Sequence, residues 1–418
     1  MSPSLAPDAP RVGPAVDDEL ELLLRFGASL LQAGSTAART RELMDVMARR
    51  LGFDAVSVAV TIEGVTASVR RAGALATAMC EIKPPGINTS RIDQLERLAR
   101  RNEGGPREIA ARLGEIEALP PRFSRAQIAA AIALASAGFA FLNGASAVEM
   151  IAAGLGGGVG QTLRTLLSRR HLNHFAVAAL SAIAASGTYV VASLLGARLG
   201  FAFPHPAGFI SSVLFLVPGF PLIAGLFDLL HHQTVAALSR LAHGTMVLLV
   251  LAFGLSITIA VGRIDLSPEA PPDIVYSLKL VLRAIASFVA ASAFAMLFNG
   301  SVRTVLAAGL LGIGANGLRL VLLDAGMMLA PAAFFGALAV GLVATAMDRY
   351  WQLPRVATIV PPIIIMVPGL YAYQMIVLFN RGQMLDALQA SAACGFVIGA
   401  LAMGLATARF FNAKTGSG

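Results

Sequence analysis

The chain has 418 residues, 56% of them hydrophobic and 13% charged, against roughly a quarter charged in an ordinary soluble domain. That balance excludes a soluble globular protein and points to a polytopic membrane protein. Residues 1–125 carry 17 of the 32 Lys and Arg and 16 of the 24 Asp and Glu, a net charge of +1, and the rest of the chain nets +7, so the high pI reflects basic residues flanking membrane spans and gives no ground for a nucleic-acid partner.

The first 16 residues are rich in Pro and Ala and read as a disordered tail without the basic and apolar regions of a signal peptide. From Asp17 the leucines Leu20, Leu23, Leu24, Leu30 and Leu31 recur near helical spacing. Gly34-Ser35-Thr36 then supplies a stop and a cap for a second helix, Ala37 to Leu51. Alternation over Val56, Val58, Val60 and Ile62 predicts a strand, Glu63-Gly64 a turn, Thr66 to Arg71 a returning strand, and Met79 to Ile82 a short third one. Polar helices follow over Ser90 to Asn102 and Pro106 to Ala118. Residues 17–125 thus form a small α+β domain, predicted cytoplasmic. It has no histidine, no phosphate-binding loop and no nucleophile beside a base, which argues against an enzyme.

Beyond "LPPRFSR" the apolar runs approach the ~20 residues needed to cross a hydrocarbon core. About ten spans are predicted, at 126–142, 146–167, 174–197, 208–227, 235–262, 277–298, 302–322, 327–347, 355–379 and 387–411. Eleven basic residues, among them Arg122, Arg164, Arg240, Arg349 and Arg409, fall at the ends on the side of the soluble domain, against six at the other ends. The positive-inside rule therefore puts both termini in the cytoplasm and the acidic, Pro-rich linker 263–276 outside.

The membrane part repeats itself. "ASAGFAFLNGASAVEMIAAGLGGGVGQTLRTLL" from Ala135 and "ASAFAMLFNGSVRTVLAAGLLGIGANGLRLVLL" from Ala291 share Asn-Gly, Ala-Ala-Gly-Leu and Leu-Arg in the same order. "LVPGFP" at Leu216 is answered by "MVPGLY" at Met366, each Val-Pro-Gly lying 74 and 68 residues after its Asn-Gly. Two five-span units, 126–262 and 277–418, are odd-numbered, so the second is predicted to be inserted upside down relative to the first, the plan of many secondary transporters with a site at broken helices near the midplane.

That plan selects the candidate residues. Pro218, Gly219, Pro368 and Gly369 interrupt apolar runs and expose backbone groups able to hold a zwitterion. Asn143 and Asn299 offer polar contacts or turns, and Tyr373 a hydroxyl beside the second break. Glu149 near the start of a span and Asp228 ten residues after Pro218 are acids in apolar surroundings, hence substrate or proton-relay candidates unless they are hydrated at the interface. The substrate-binding candidates are Asn143, Glu149, Pro218, Gly219, Asn299, Pro368, Gly369 and Tyr373. Asp228 is the first choice for proton coupling, with Glu149 second. The glycines Gly154, Gly156, Gly157, Gly158 and Gly160 suit close helix packing rather than phosphate binding. With two cysteines, one in each part, no disulfide, metal site or other cofactor is expected.

The stretches "LLLRFGASLLQAGSTAARTRELMDVMARRLG", "FLNGASAVEMIAAGLGG", "VPGFPLIAGLFDLLHH" and "VPGLYAYQMIVLFNRG" together resemble the threonine/serine exporter family in its fused two-unit form, over almost the whole chain after residue 17. The second Pro-Gly departs from the first in lacking a following proline. The resemblance implies a bacterial inner-membrane secondary exporter with a cytoplasmic amino-terminal domain and ten spans, moving small hydroxy amino acids against protons, with lipid and no nucleic acid as its surroundings and homo-oligomerisation left open. Two-subunit relatives make small dicarboxylates such as succinate the alternative substrate. The resemblance supplies no site residues.

Overall fold

The structure, a computed structural model, describes residues 14–415 except 62, 83–85, 101–103, 171, 202, 204–205, 263–273, 352, 354, 370, 372–373, 376–377 and 379–381. Most of the expected tail, most of the expected external linker and Tyr373 lie outside the described residues. The chain forms two compact units, one made of residues 1–120 with 228–239 and the other of 121–227 with 240–418.

The first unit is α+β. Helices α1 (Pro14–Gln32) and α2 (Ala37–Arg50) precede strands β1 (Ala55–Val60), β2 (Gly64–Arg71) and β3 (Ala74–Glu81), then α3 (Thr89–Arg100) and α4 (Pro106–Ala118). The strands form an antiparallel sheet in sequence order, with Val60 opposite Val65 and Arg71 opposite Ala74. Val58, Val60, Val65, Ala67 and Val69 enter one core with Leu23, Phe26, Leu30, Leu43, Met44 and Met47 of the helices, the outcome that alternating apolar residues dictate for a sheet covered on one face. β3 begins earlier than the short strand expected at Met79, because Ala72-Gly73 is a two-residue turn with φ of 48° and 84°. Positive φ at both central residues marks a type I′ hairpin, which usually carries Asn-Gly or Asp-Gly. Here Asp54 accepts from the Ala72 N–H at 2.8 Å and holds an unfavoured alanine in that geometry.

The second unit is helical: α5 (Arg125–Leu142), α6 (Ala147–Leu167), α7 (His174–Arg198), α8 (Pro206–Ser211), α9 (Gly219–Leu230), α10 (Thr234–Gly262), α11 (Tyr276–Leu297), α12 (Val302–Asp324), α13 (Leu329–Trp351), α14 (Arg355–Ile364) and α15 (Met384–Thr415). The turn closing α9 and the first residues of α10 belong to the other unit, where Ala236 joins the core. Among the described residues seven helices are long and apolar enough to cross a membrane, and eight if the pair 207–216 and 219–230, bent by 60°, counts as one broken span. Ten runs are expected from sequence. The difference falls on α6, long enough at 21 residues but rich in glycine, and on 355–379, part of which lies outside the described residues.

Small residues let these helices approach. A Cβ on Gly154 would lie 3.1 Å from the Ala133 carbonyl of α5, and one on Gly156 would lie 2.5 Å from the Ala185 carbonyl of α7. With lipid as apolar as any side chain, such close backbone packing is a main source of helix association in a membrane. The same contacts recur 155 residues later. Gly157 packs on Ile132 and Ser136, and Gly312 on Ser287 and Ala291; Gly154 packs on Ala133 and Ala137, and Gly309 on Phe288 and Ser292. The caps follow the same offset, Ser146 accepting from the Glu149 N–H and Ser301 from the Thr304 N–H. By this register Asn299 corresponds to Gly144, both with positive φ, so matching Asn-Gly to Asn-Gly is one residue out.

Helices α5 and α11 pack against each other in opposite directions. The Arg122 N–H, just before α5, donates to Asn299 Oδ1 just after α11 at 2.8 Å, and Gly138 of α5 meets the middle of α11 at Ala286.

Candidate functional site

The two Val-Pro-Gly segments have the same local geometry. In the first, Leu216 donates to Val213 at 2.9 Å, Val217 to Leu214 at 3.1 Å, and Gly219 to Val217 at 2.8 Å. In the second, Met366 donates to Ile363 at 3.0 Å, Val367 to Ile364 at 3.1 Å, and Gly369 to Val367 at 2.8 Å. Proline has no N–H to continue the helical ladder, so each chain tightens into i→i+3 bonds and turns about the proline before helix resumes.

The breaks also lie against one another. A Cβ on Gly219 would stand 3.3 Å from Val367 Cγ2 and 3.5 Å from Ile364, and one on Gly369 would stand 2.7 Å from Leu214 Cδ2 and 3.5 Å from Val217 Cγ2. Pro218, Gly219, Pro368 and Gly369, singled out separately in sequence, are therefore one structural feature.

A polar cluster lies beside the first half of the broken span. Glu149, wholly buried, is the third residue of α6, and its Oε2 accepts from the Ser146 N–H at 2.7 Å in a capping box. The Tyr189 hydroxyl of α7 donates to Glu149 Oε1 at 3.4 Å. Gly208 of α8 closes over both: a Cβ there would come 2.8 Å from the Tyr189 ring and 3.0 Å from Glu149 Cβ. Asn143, which ends α5, donates from Nδ2 to Ser211 Oγ of α8 at 3.2 Å. Asn143 and Glu149 thus converge with Tyr189 and Ser211, which sequence reasoning missed. A lone tyrosine inside an Ala and Ser-rich span was the available signal for the first.

Other candidates go elsewhere. Asn299 meets Arg122 before α5, whereas Asn143 closes the far end of that helix. Asp228 lies in the unit of the α+β fold, fully buried, where its Oδ1 accepts from the Ala38 N–H at 3.3 Å near the start of α2. An apolar cavity of approximately 580 Å³ lies between α5, α6 and α11, lined by residues such as Leu134, Phe141, Met150, Leu282 and Ile285. It offers little to a polar solute.

A further polar group lies by the second break. Asn316, buried in α12, donates to Ser287 Oγ of α11 at 2.8 Å and accepts from Arg319 Nη1 at 3.0 Å. Gly336 of α13 makes room for Arg319 and Met366: a Cβ there would meet Met366 Sδ at 2.8 Å and Arg319 Cβ at 3.4 Å.

Comparison with known proteins divides the chain between its two membrane halves. A family model described as putative threonine/serine exporter matches residues 21–262, taking in the α+β unit and the first membrane half. A second, described as Threonine/Serine exporter, ThrE, matches residues 283–411, the second half. The chain belongs to the threonine/serine exporter family. It is also similar to curated proteins named "Probable succinate transporter subunit YjjP". The one from Escherichia coli (strain K12) is 26% identical over 243 residues, 57% of this chain and 93% of the relative. The one from Klebsiella aerogenes is 25% identical over 240 residues, 56% of this chain and 90% of the relative. No solved structure matches. Membership in this family, with its apolar helices, makes the chain a multi-pass membrane transporter.

Proposed function

We propose that the chain is a secondary exporter of small hydroxy amino acids, threonine and serine, driven by the proton motive force across a bacterial inner membrane. The observation that carries this reading is the reciprocal packing of the two Val-Pro-Gly breaks. Broken helices meeting inside a duplicated membrane unit are the structural requirement for a site whose access alternates. The antiparallel packing of α5 on α11, which correspond at the 155-residue offset, supports an inverted repeat. On this reading α6 and the 355–379 segment also enter the membrane, giving ten spans with both termini cytoplasmic.

In this scheme the substrate is held at the breaks by backbone groups around Pro218, Gly219, Pro368 and Gly369, with the Asn143, Glu149, Tyr189 and Ser211 cluster alongside the first. Glu149 carries the coupled proton. Its carboxylate is buried and meets a hydroxyl donor, whereas Asp228 serves α2. Small dicarboxylates such as succinate are the second reading, favoured by the name of the YjjP relatives.

Counterflow in proteoliposomes of the full chain, with labelled threonine, serine and succinate and with or without an imposed pH gradient, tests both. Threonine and serine exchange accelerated by the gradient supports the first reading. Flux of the dicarboxylate alone replaces it with the second, and flux unaffected by collapse of the gradient removes proton coupling.

A further inference from the structure

Arg319 is a cation one and a half turns inside the end of α12, and the charge pair nearest that end does not neutralise it. Arg283 and Asp324 satisfy each other there through a two-bond ion pair. Arg319 has no carboxylate partner among the described residues, and its Nε is inaccessible to solvent and makes no hydrogen bond among them. A guanidinium presents five N–H donors in a planar fork. A cation left in apolar surroundings is costly, and in membrane spans such groups mark substrate or ion paths.

The side chain is also oriented. Ser287, wholly buried in α11, takes the Asn316 amide N–H, which turns the amide oxygen towards Arg319 Nη1. One edge of the guanidinium is thereby fixed while the Nε edge stays without a partner among the described residues. The position is beside the second break: Gly336 admits Arg319 and Met366 to one place, and Met366 directly precedes Val367-Pro368-Gly369. Tyr371, two residues past that break, lies within electrostatic range of the guanidinium. The matching position of the first half, Arg164, lies instead within range of His174, which stacks on His243 with ring centroids 5.5 Å apart.

We propose that Arg319, held by Asn316 and Ser287 beside the second Val-Pro-Gly break, binds the carboxylate of the transported molecule. The assignment rests on the transport reading above and deepens it, because a carboxylate is common to a hydroxy amino acid and a dicarboxylate. A planar, bidentate fork is the group best matched to that anion. Arg319 is a binding residue, and Asn316 and Ser287 are positioning residues.

The test compares threonine with threoninol, which keeps the amine and hydroxyl and lacks the carboxylate, as competitors of labelled threonine counterflow in proteoliposomes of the full chain. Where succinate proves to be the substrate, its diamide takes the place of threoninol. Wild-type protein is expected to prefer the carboxylate-bearing molecule strongly. Arg319→Gln is expected to reduce that preference about tenfold or more, chiefly by weakening the carboxylate-bearing partner. Asn316→Ala is expected to move it the same way to a smaller extent. Arg319→Lys keeps the charge but not the fork, and carries the test if the glutamine variant does not reach the membrane: a several-fold higher KM for the substrate with unchanged competition by its carboxylate-free analogue supports the assignment. An unchanged preference in Arg319→Gln, or an unchanged KM in Arg319→Lys, overturns it while leaving the transport reading intact, since it would show a strut or a lipid contact. Absence of flux of any tested carboxylate in wild-type protein overturns both.

Discussion

The Tyr189 hydroxyl reaches Glu149 from a different helix, donating to Oε1 at 3.4 Å while Oε2 holds the Ser146 N–H at 2.7 Å. One carboxylate thus ends a helix and faces a partner that can be given up. Glu149→Gln keeps an acceptor for the cap and removes the carboxylate proposed to carry the proton. The variant is expected to fold and to exchange substrate in counterflow, yet to lose at least tenfold of the acceleration produced by a pH gradient. Retention of gradient-driven flux would take the proton away from Glu149. Tyr189→Phe is expected to shift the pH dependence of transport with a smaller loss.

Asp228 yields the opposite expectation. Its carboxylate supplements the Thr36 cap at the start of α2, and a lost capping acceptor costs about 1 kcal/mol. Asp228→Ala is expected to lower hydrogen-exchange protection of α2 by that amount, and Asp228→Asn by less. Proton-coupled transport is expected to survive in the asparagine variant; its loss would return Asp228 to the mechanism.

The first unit is expected to loosen in acid. Burial works to raise the Glu117 carboxyl, but hydrogen bonds from Arg25 and Ser29 outweigh it and hold the group below the ordinary carboxylate range. A depressed carboxyl contributes stability above its unfolded value, and that contribution is lost as pH falls through the folded one. The contacts tie α4 to α1, with Ser29 donating to Glu117 Oε1 at 2.5 Å. Exchange protection of α1 and α4 is therefore expected to fall as pH drops below about 4, and Glu117→Gln to flatten that dependence.

Two glycine substitutions separate packing from propensity. Gly156→Ala would press a methyl group to 2.5 Å from a backbone carbonyl of α7 that cannot rotate away, and is expected to destabilise by about 1–3 kcal/mol. Gly187→Ala, within α7 and with open space around it, is expected to be neutral or stabilising by up to about 1 kcal/mol. Melting temperatures in detergent check both, and equal effects would mean that the glycine contacts do not hold α6 in place.

The sequence carried the plan of the molecule because that plan is written in local signals. Alternating valines announced β1, Gly34-Ser35-Thr36 announced the cap of α2, and two Val-Pro-Gly segments announced the breaks. The length of β3 was hidden because the turn before it uses Ala72-Gly73 and depends on Asp54, 18 residues away. The site was less legible because its members meet by packing. Tyr189 and Glu149 are 40 residues apart, and nothing local says that they touch. Asp228 reads from sequence as an acid closing an apolar run, and nothing local points to the Ala38 N–H, 190 residues earlier, that its carboxylate accepts from. In sequence Arg319 is one of the six basic residues at the other span ends; the enclosure of its Nε becomes visible only with Asn316, Ser287 and Gly336 in view together.

Neither Val-Pro-Gly break has a complete wall of its own, since Gly219 rests on Val367 and Gly369 on Leu214 and Val217. On the alternating-access reading proposed above, withdrawing one strips packing from the other, so the two halves would move as a single two-state element. On that reading the arrangement with both parted at once, open to both sides together, is also the one with the fewest contacts to hold it.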